Sequence, residues 1–121
     1  MKTTYETGLQ GEQAAEKWLE KNLKMRCIER RYRTKAGEID LIMLDGETIV
    51  FVEVKTRKTS GQGTGICAVD RKKQIRIARS SVLYLMSMKW MNRAVRYDVM
   101  EISREGVLHI PNAFQPGGMF F

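Results

Sequence analysis

Two short segments rich in aliphatic and β-branched residues, 39–44 and 48–54, are separated by the dipeptide Asp45-Gly46. An Asp-Gly dipeptide between such segments predicts a β-hairpin with a two-residue turn. The second segment is apolar on both faces, since Ile49 and Phe51 alternate with valines. A strand of that kind is typical of the centre of a sheet that is covered on both sides.

The turn of this hairpin determines which polar residues share a face. With the turn at this dipeptide, Asp40 pairs with Phe51 and becomes a diagonal neighbour of Glu53. Because side chains alternate between the faces of a strand, Glu53 and Lys55 lie on the side of Phe51. We therefore expect the carboxyl groups of Asp40 and Glu53 to converge on one cation, with Lys55 beside them. The hairpin alone leaves a second interpretation open, a Glu53–Lys55 ion pair where a buried strand reaches solvent.

The remaining periodicity predicts two helices and three further strands. Apolar residues at helical spacing predict a first helix over residues 4–23 and a second helix from Asp70, its N-cap, to about residue 90. Residues 25–35, 96–103 and 107–110 have the composition of strands, and a turn at 104–106 separates the last two. The element order α-β-β-β-α-β-β predicts an α/β fold with a mixed β-sheet flanked by helices.

Glu12 lies on the apolar face of the first predicted helix. The residues around it on a helical wheel are Tyr5, Gly8, Leu9, Ala15, Leu19 and Leu23. Gly8 and Gly11 flank Glu12 and allow another part of the chain to approach closely. An inward-facing glutamate indicates either a functional carboxylate near the sheet or a residue stabilised by the helix dipole.

The second predicted helix has basic residues throughout its first half, namely Arg71, Lys72, Lys73, Arg76 and Arg79. Cations near a helix N-terminus oppose the helix dipole, which favours an anion such as phosphate nearby. The predicted buried stripe of this helix comprises Ile75, Ala78, Val82, Leu85 and Met86. We interpret Met86, Met88 and Met91 as adaptable core residues.

Three segments allow more than one interpretation. The strand over residues 25–35 includes Arg31, Arg33 and Lys35, which indicate either a phosphate-contacting surface or a charged edge strand protected from aggregation. Residues 58–65 contain three alternating glycines and predict an irregular connector or a flap over a substrate. Residues 111–121 predict a loosely ordered tail, within which Phe114 can dock on the core.

Composition and charge narrow the class of protein. A chain of 121 residues predicts one domain spanning 1–121. The net charge of +7 and the pI near 9.6 favour a polyanionic partner, with nucleic acid preferred over a membrane surface. The chain contains no apolar run of transmembrane length and no signal-peptide pattern, which predicts a cytoplasmic protein with no membrane partner.

The cysteines and the histidine restrict the kinds of metal site that the chain can form. Cys27 and Cys67 are isolated, and His109 is the single histidine, so neither a zinc site nor a disulfide framework is expected. We interpret His109 as an ordinary strand residue. Any metal would be held by carboxylates and would therefore be a hard ion, Mg²⁺ or Mn²⁺.

Four motifs resemble a known family. They are GExxA at residues 11–15, GEIDLI at 37–42, FVEVKTR at 51–57 and RYD at 96–98. They resemble the YraN-type family of uncharacterised bacterial proteins, which is similar to archaeal Holliday-junction resolvases. Asp40 followed by Glu53-Val54-Lys55 also matches the D…ExK core of the PD-(D/E)xK superfamily. The resemblance implies a restriction-endonuclease-like fold.

The resemblance also implies roles for the matching residues. Asp40 and Glu53 would bind Mg²⁺ or Mn²⁺ with help from the Val54 carbonyl, and Glu12 would assist as a third acid. Lys55 would stabilise the charge that develops on the phosphate or orient the attacking water. Relatives carry an aromatic-glycine element in the loop after the FVEVKTR motif, and GQGTG replaces it here, so substrate contacts from this loop stay open.

The motifs and the basic charge are compatible with two classes of function. In the first, the protein is a metal-dependent endonuclease that acts on structured or branched DNA. In the second, it is a non-catalytic module on the same fold that binds nucleic acid or a protein partner. The expected DNA contacts are Arg57, Lys58, Arg71, Lys72, Lys73, Arg76, Arg31, Arg33 and Lys35. The set of acids favours the nuclease, because a pure binder has no need of acids facing a polyanion. A homodimer is compatible with either class.

Overall fold

The computed structural model describes residues 4–57 and 69–116, which form two helices and a five-stranded sheet. The elements in chain order are α1 (Thr4–Leu23), β1 (Arg26–Thr34), β2 (Gly37–Asp45), β3 (Thr48–Thr56), α2 (Arg71–Met88), β4 (Val95–Ser103) and β5 (Gly106–Ile110). The predicted element order and fold class are confirmed. Asp70 is the N-cap of α2 as predicted, and its side chain accepts a hydrogen bond from the Lys73 backbone N–H.

The sheet has the spatial order β1-β2-β3-β4-β5. Neighbouring strands are antiparallel except β3 and β4, which are parallel. A parallel pair requires a crossover, and α2 lies in the connection between these two strands. Residues of α2 pack on one face of the sheet around Phe51, whereas Ala15 and Leu19 of α1 pack on the other face against Val50 and Val52. The β2–β3 hairpin is therefore covered on both sides, as its apolar pattern predicted.

The register of the hairpin differs from the prediction. Asp45 pairs with Thr48, so the turn residues are Gly46 and Glu47. Gly46 has a φ of 61°, the left-handed value that suits glycine at the first central position of a type II′ turn. Moving the turn by one residue moves every strand pair by two, and an even shift leaves each side chain on its predicted face. Pairing ends at Leu41–Val52, so Asp40 and Glu53 follow the last strand pair instead of occupying the predicted diagonal positions within the ladder.

The buried face of α2 also differs from the prediction. Its buried residues are Ile77, Ala78, Ser80, Ser81, Tyr84 and Leu85. Two serines belong to this face because partners satisfy their hydroxyl groups: Ser81 Oγ lies 2.6 Å from the Tyr97 hydroxyl, and Ser80 Oγ lies 2.9 Å from Thr34 Oγ1. The interpretation of three methionines as core residues is wrong. Met86, Met88 and Met91 are 58%, 41% and 57% exposed.

The segment after β5 docks on the outer part of the sheet. The Ala113 backbone N–H donates to the Tyr97 carbonyl over 2.7 Å, and the Phe114 ring stacks on the Tyr97 ring with a centroid separation of 5.2 Å. The predicted docking of Phe114 on the core is confirmed. Residues 117–121, the rest of the predicted tail, lie outside the described residues. Within the described part of the chain, neither helix has the length and apolar character needed to cross a membrane.

Candidate metal centre at a fork in the sheet

The central hairpin opens into a fork at the end distant from its turn. In the described strands, β2 and β3 pair from Asp45–Thr48 to Leu41–Val52 and no further. Beyond that point β2 pairs with β1, whereas β3 pairs with β4. A pocket of about 280 Å³ lies at the fork beneath the first turns of α2. This fork pocket is lined by Gly37, Glu38, Asp40, Glu53, Lys73, Arg76 and Ile77.

Asp40 occupies the position where the strand ladder would continue. Its Oδ2 atom accepts a hydrogen bond of 2.8 Å from the Val54 backbone N–H, which replaces a strand-to-strand hydrogen bond. Burial and the nearby charge of Glu53 raise the pKa of Asp40 to about 8, against the hydrogen bond from Val54. At neutral pH the carboxyl group therefore retains a proton unless a cation replaces it.

Glu53 is held between two lysines from different elements. Its side chain is 3% exposed, and its Oε1 atom lies 2.7 Å from Lys73 Nζ of α2 and 3.7 Å from Lys55 Nζ of β3. Burial and the neighbouring Lys73 lower the pKa of Lys55. Burial alone would also lower the pKa of Lys73, but its hydrogen bond to Glu53 raises it above the ordinary value. Glu53 is thus an anion beside the basic start of α2, where the sequence favoured an anion such as phosphate.

Glu12 approaches the fork from the α1 side. Gly11, its neighbour, packs so closely on the Thr56 side chain that a Cβ atom at position 11 would collide with it. The Glu12 carboxylate pairs with Arg31, with 2.7 Å between Arg31 Nε and Glu12 Oε1. Burial raises the pKa of Glu12, with the charge of Glu53 contributing in the same direction. Glu12 is thus inward-facing as predicted and electrostatically linked to the fork pocket.

The three predicted acids are not assembled as one ligand cluster. In residues 4–57 and 69–116, no group of three aspartate, glutamate, histidine or cysteine side chains is close enough to hold a metal ion. The reason is local: Arg31 has a left-handed φ of 48°, and its guanidinium engages Glu12. Asp40 and Glu53 face one pocket, and their oxygen donors fit a hard divalent cation such as Mg²⁺. The elevated pKa of Asp40 reflects its burial first and then the neighbouring charge of Glu53, which Lys73 offsets only in part.

The predicted DNA-contacting residues separate into three groups. Arg71, Lys72 and Arg76 of α2 are exposed, as are Arg33 and Lys35 near the end of β1. Arg31, Arg57 and Lys73 are less exposed and engaged in ion pairs: Arg31 contacts Glu12, Lys73 contacts Glu53, and Arg57 Nε lies 3.3 Å from Glu101 Oε1. Exposed Arg33 also contacts an acid, Glu38. Lys58 and the glycine-rich loop lie outside the described residues.

A buried network around Asp98 was not predicted. The Asp98 side chain is fully buried and accepts hydrogen bonds from Arg96 Nε at 2.9 Å and from the Asn112 backbone N–H at 2.9 Å. His109 Nε2 lies 2.8 Å from Asp98 Oδ2, so His109 is a polar partner of Asp98 as well as a strand residue. Burial would raise the pKa of Asp98, but the hydrogen bonds from His109, Arg96 and Asn112 hold it below the ordinary value. The sequence signal was the alternation of Arg96 and Asp98 on one face of a predicted strand.

Comparison with known proteins gives one consistent family. A family model described as the uncharacterised protein family UPF0102 matches residues 11–102. A UPF0102 protein from Geobacter metallireducens is 38% identical over 112 residues, which are 89% of this chain and 91% of the relative. Another from Alkaliphilus oremlandii is 42% identical over 116 residues, 88% of this chain and 96% of the relative. The matched range contains the whole fork pocket.

One solved structure is similar at lower identity. It is SfsA from Pyrococcus furiosus, solved in complex with Ca²⁺, which is 17% identical with a TM-score of 0.44. The similarity covers 88% of this chain and 64% of the SfsA chain.

Proposed function

The chain belongs to the uncharacterised protein family UPF0102, and from its fork pocket we propose that it is a metal-dependent endonuclease that hydrolyses phosphodiester bonds in structured or branched DNA. The observation that carries the proposal is that half-buried Asp40 and buried Glu53 line one pocket with Lys73, while Lys55 contacts Glu53. Acids in such a position are unfavourable for the fold, which supports a functional reason for their presence.

The four residues that the sequence nominated each have a part in the proposed reaction. Asp40 and Glu53 would hold Mg²⁺ or Mn²⁺, and Glu12 would add negative charge from the α1 side. The bound ion would lower the pKa of a water molecule and neutralise the scissile phosphate. Lys55, whose pKa is lowered by burial, would donate a hydrogen bond from Nζ to the phosphate or to the attacking water.

The charges around the fork pocket support a nucleic-acid substrate. Arg76 lines the pocket, and Lys72 and Arg79 are exposed on the same helix. Lys35, at the end of β1, lines an adjacent pocket with Arg79. Together with the net charge of +7, these residues supply the positive surface that a DNA backbone requires. The acids of the fork pocket lie within this positive surface, where a phosphate group would be delivered.

One observation favours the non-catalytic alternative. Lys73 already neutralises Glu53, and among the described residues the third acid is engaged by Arg31 instead of joining the first two. A module that binds nucleic acid or a protein partner could retain this arrangement as a structural ion-pair network. The two functions differ in their requirement for a metal, because a binder needs none.

A cleavage panel tests the proposed function. We expect hydrolysis of a four-way junction or flap DNA in Mg²⁺ or Mn²⁺ and no hydrolysis in excess chelator, because without a bound ion the pocket has no group that activates the attacking water and neutralises the scissile phosphate together. Duplex and single-stranded DNA of the same sequence serve as controls for structure preference. Binding of the panel without cleavage in either metal would favour the non-catalytic module.

Affinity for DNA is expected to fall steeply as the salt concentration rises. The slope of log affinity against log salt should be roughly −0.9 per phosphate contact, because each contact releases condensed counterions. Replacing exposed Arg76 by glutamine should weaken binding and make the slope shallower by about one contact. Replacing Arg57, which is engaged by Glu101, by glutamine is the comparison variant and should leave the slope closer to that of the wild type. An affinity for DNA that does not change with the salt concentration would show that these basic residues do not contact phosphates.

A further inference from the structure

Lys73 makes the shortest contact that the described residues offer to the acids of the fork pocket. Its Nζ atom lies 2.7 Å from Glu53 Oε1, whereas Lys55 Nζ lies 3.7 Å from the same oxygen. The two lysines come from different elements, since Lys55 precedes the connection to α2 and Lys73 lies in the first turn of that helix. Glu53 therefore has two ammonium neighbours, although one would be enough for an ordinary ion pair.

The backbone of Lys73 is fixed, whereas its partly exposed side chain has room to change rotamer. The Asp70 side chain accepts a hydrogen bond of 2.8 Å from the Lys73 backbone N–H, which holds the residue at the start of α2. The Lys73 side chain is 37% exposed, whereas the Glu53 side chain is 3% exposed. Glu53 cannot leave the pocket without disturbing the sheet, but the Lys73 ammonium can move to the pocket mouth by rotation of its side chain.

We propose that Lys73 is a built-in competitor of the metal ion, an ammonium group that occupies the cation position on Glu53 until a divalent ion displaces it. This inference rests on the proposed metal site. When displaced, the ammonium lies beside Arg76, which lines the same pocket, and becomes available to a DNA phosphate. One residue thus lowers the affinity for metal in the absence of DNA and adds a phosphate contact once metal is bound. Because Lys73 lies in the first turn of α2, its side chain can contact Glu53 inside the pocket or a phosphate at the pocket mouth.

Direct titration of Mn²⁺ into the metal-free protein tests the inference without reference to cleavage. We expect Lys73→Gln to bind Mn²⁺ about tenfold more tightly than the wild type, because a positive charge is removed from the immediate surroundings of the ion. Lys72→Gln is the matched control, since it makes the same change on the adjacent, exposed residue of the same helix. It should alter the dissociation constant by less than about twofold, because exposed charges are screened.

Two further variants of Lys73 control for its charge and for correct folding. Lys73→Arg retains the positive charge and should leave the affinity for Mn²⁺ near that of the wild type. Lys73→Met retains the aliphatic stem and repeats the measurement should the glutamine variant be poorly folded, as judged by circular dichroism.

The possible results separate this inference from the proposed function. Binding of Mn²⁺ by the wild type with no gain in either Lys73→Gln or Lys73→Met overturns the competitor role and leaves the metal site standing. An equal gain in Lys72→Gln also overturns it, because net charge would then explain the effect. Absence of Mn²⁺ binding in the wild type and in every Lys73 variant overturns both. Tighter binding confined to the uncharged Lys73 variants supports the inference.

Discussion

Replacing Asp40 by asparagine is expected to stabilise the metal-free protein by about 2–4 kcal/mol at about pH 9. The physical reason is the cost of charge at this position. Burial and the charge of Glu53 raise the pKa of Asp40 to about 8, whereas an aspartate in the unfolded chain has its ordinary pKa of 3.8. Asparagine avoids this charge and still offers a carbonyl oxygen to the Val54 backbone N–H.

The direction of the pH dependence follows from these two pKa values. Between pH 3.8 and about 8 the folded protein holds a proton on Asp40 that the unfolded chain has lost. The wild type therefore loses stability as the pH rises through this window, and Asp40→Asn does not share that loss. The gain in the variant should be small at about pH 5 and largest above about pH 8.

Urea denaturation of both proteins in chelator at about pH 5 and about pH 9 measures this difference. Asp45→Asn is the matched control, since Asp45 lies on the same strand but pairs with Arg96 away from the fork pocket. It should show no comparable gain at high pH. A stability difference between wild type and Asp40→Asn that is the same at both pH values would mean that Asp40 is ionised throughout.

Replacing Asp98 by alanine is expected to lower the free energy of unfolding by about 3–5 kcal/mol. The Asp98 side chain is fully buried and joins Arg96, His109 and the Asn112 backbone N–H. Its removal leaves His109 and the Asn112 backbone N–H without this acceptor and leaves Arg96 with Asp45 as its remaining acidic partner. Loss of one member of a buried network of this kind is among the larger single-site costs. The lost hydrogen bonds connect β4 to β5 and to the segment that follows β5, so all three would be destabilised.

Chemical denaturation near neutral pH checks this value. Glu105→Ala, in the exposed turn between β4 and β5, is the control and should change stability by less than about 0.5 kcal/mol. Asp98→Asn should have an intermediate effect, because the amide retains one acceptor oxygen but lacks the charge. A loss below about 1 kcal/mol for Asp98→Ala would show that the network contributes little to the fold.

The β2–β3 hairpin shows which structural features local sequence patterns can predict and which they cannot. Strand propensity and the Asp-Gly dipeptide were sufficient to predict both strands and the face shared by Asp40 and Glu53. They were insufficient for the register, because a glycine at the first or at the second turn position satisfies a two-residue turn. The choice between them moves the two acids from a diagonal within the ladder to the point just beyond its last pair, Leu41–Val52. The identity of the candidate site was nevertheless preserved, since the shift was even.

Contacts between elements distant in sequence were harder to predict from the sequence. The Lys73–Glu53 contact depends on how α2 docks on the sheet, and the buried face of α2 contains Ser80 and Ser81, which look like surface residues in a sequence. Their hydroxyl groups are satisfied by Thr34 and Tyr97, partners that appear only after folding. The Glu12–Arg31 pair depends likewise on an arginine with left-handed backbone geometry, which sequence patterns do not indicate.

The central claim is that Asp40 and Glu53 together form the metal site of a DNA-cleaving enzyme. The most direct test is the single-turnover cleavage of a labelled four-way junction by the wild type, Asp40→Asn and Asp45→Asn, purified identically and measured in Mg²⁺ and in chelator. We predict cleavage by the wild type and Asp45→Asn in Mg²⁺ alone, and none by Asp40→Asn, although it still binds the junction. Cleavage that persists in Asp40→Asn or in chelator would contradict the account, because the reaction would then occur at another site or without a metal.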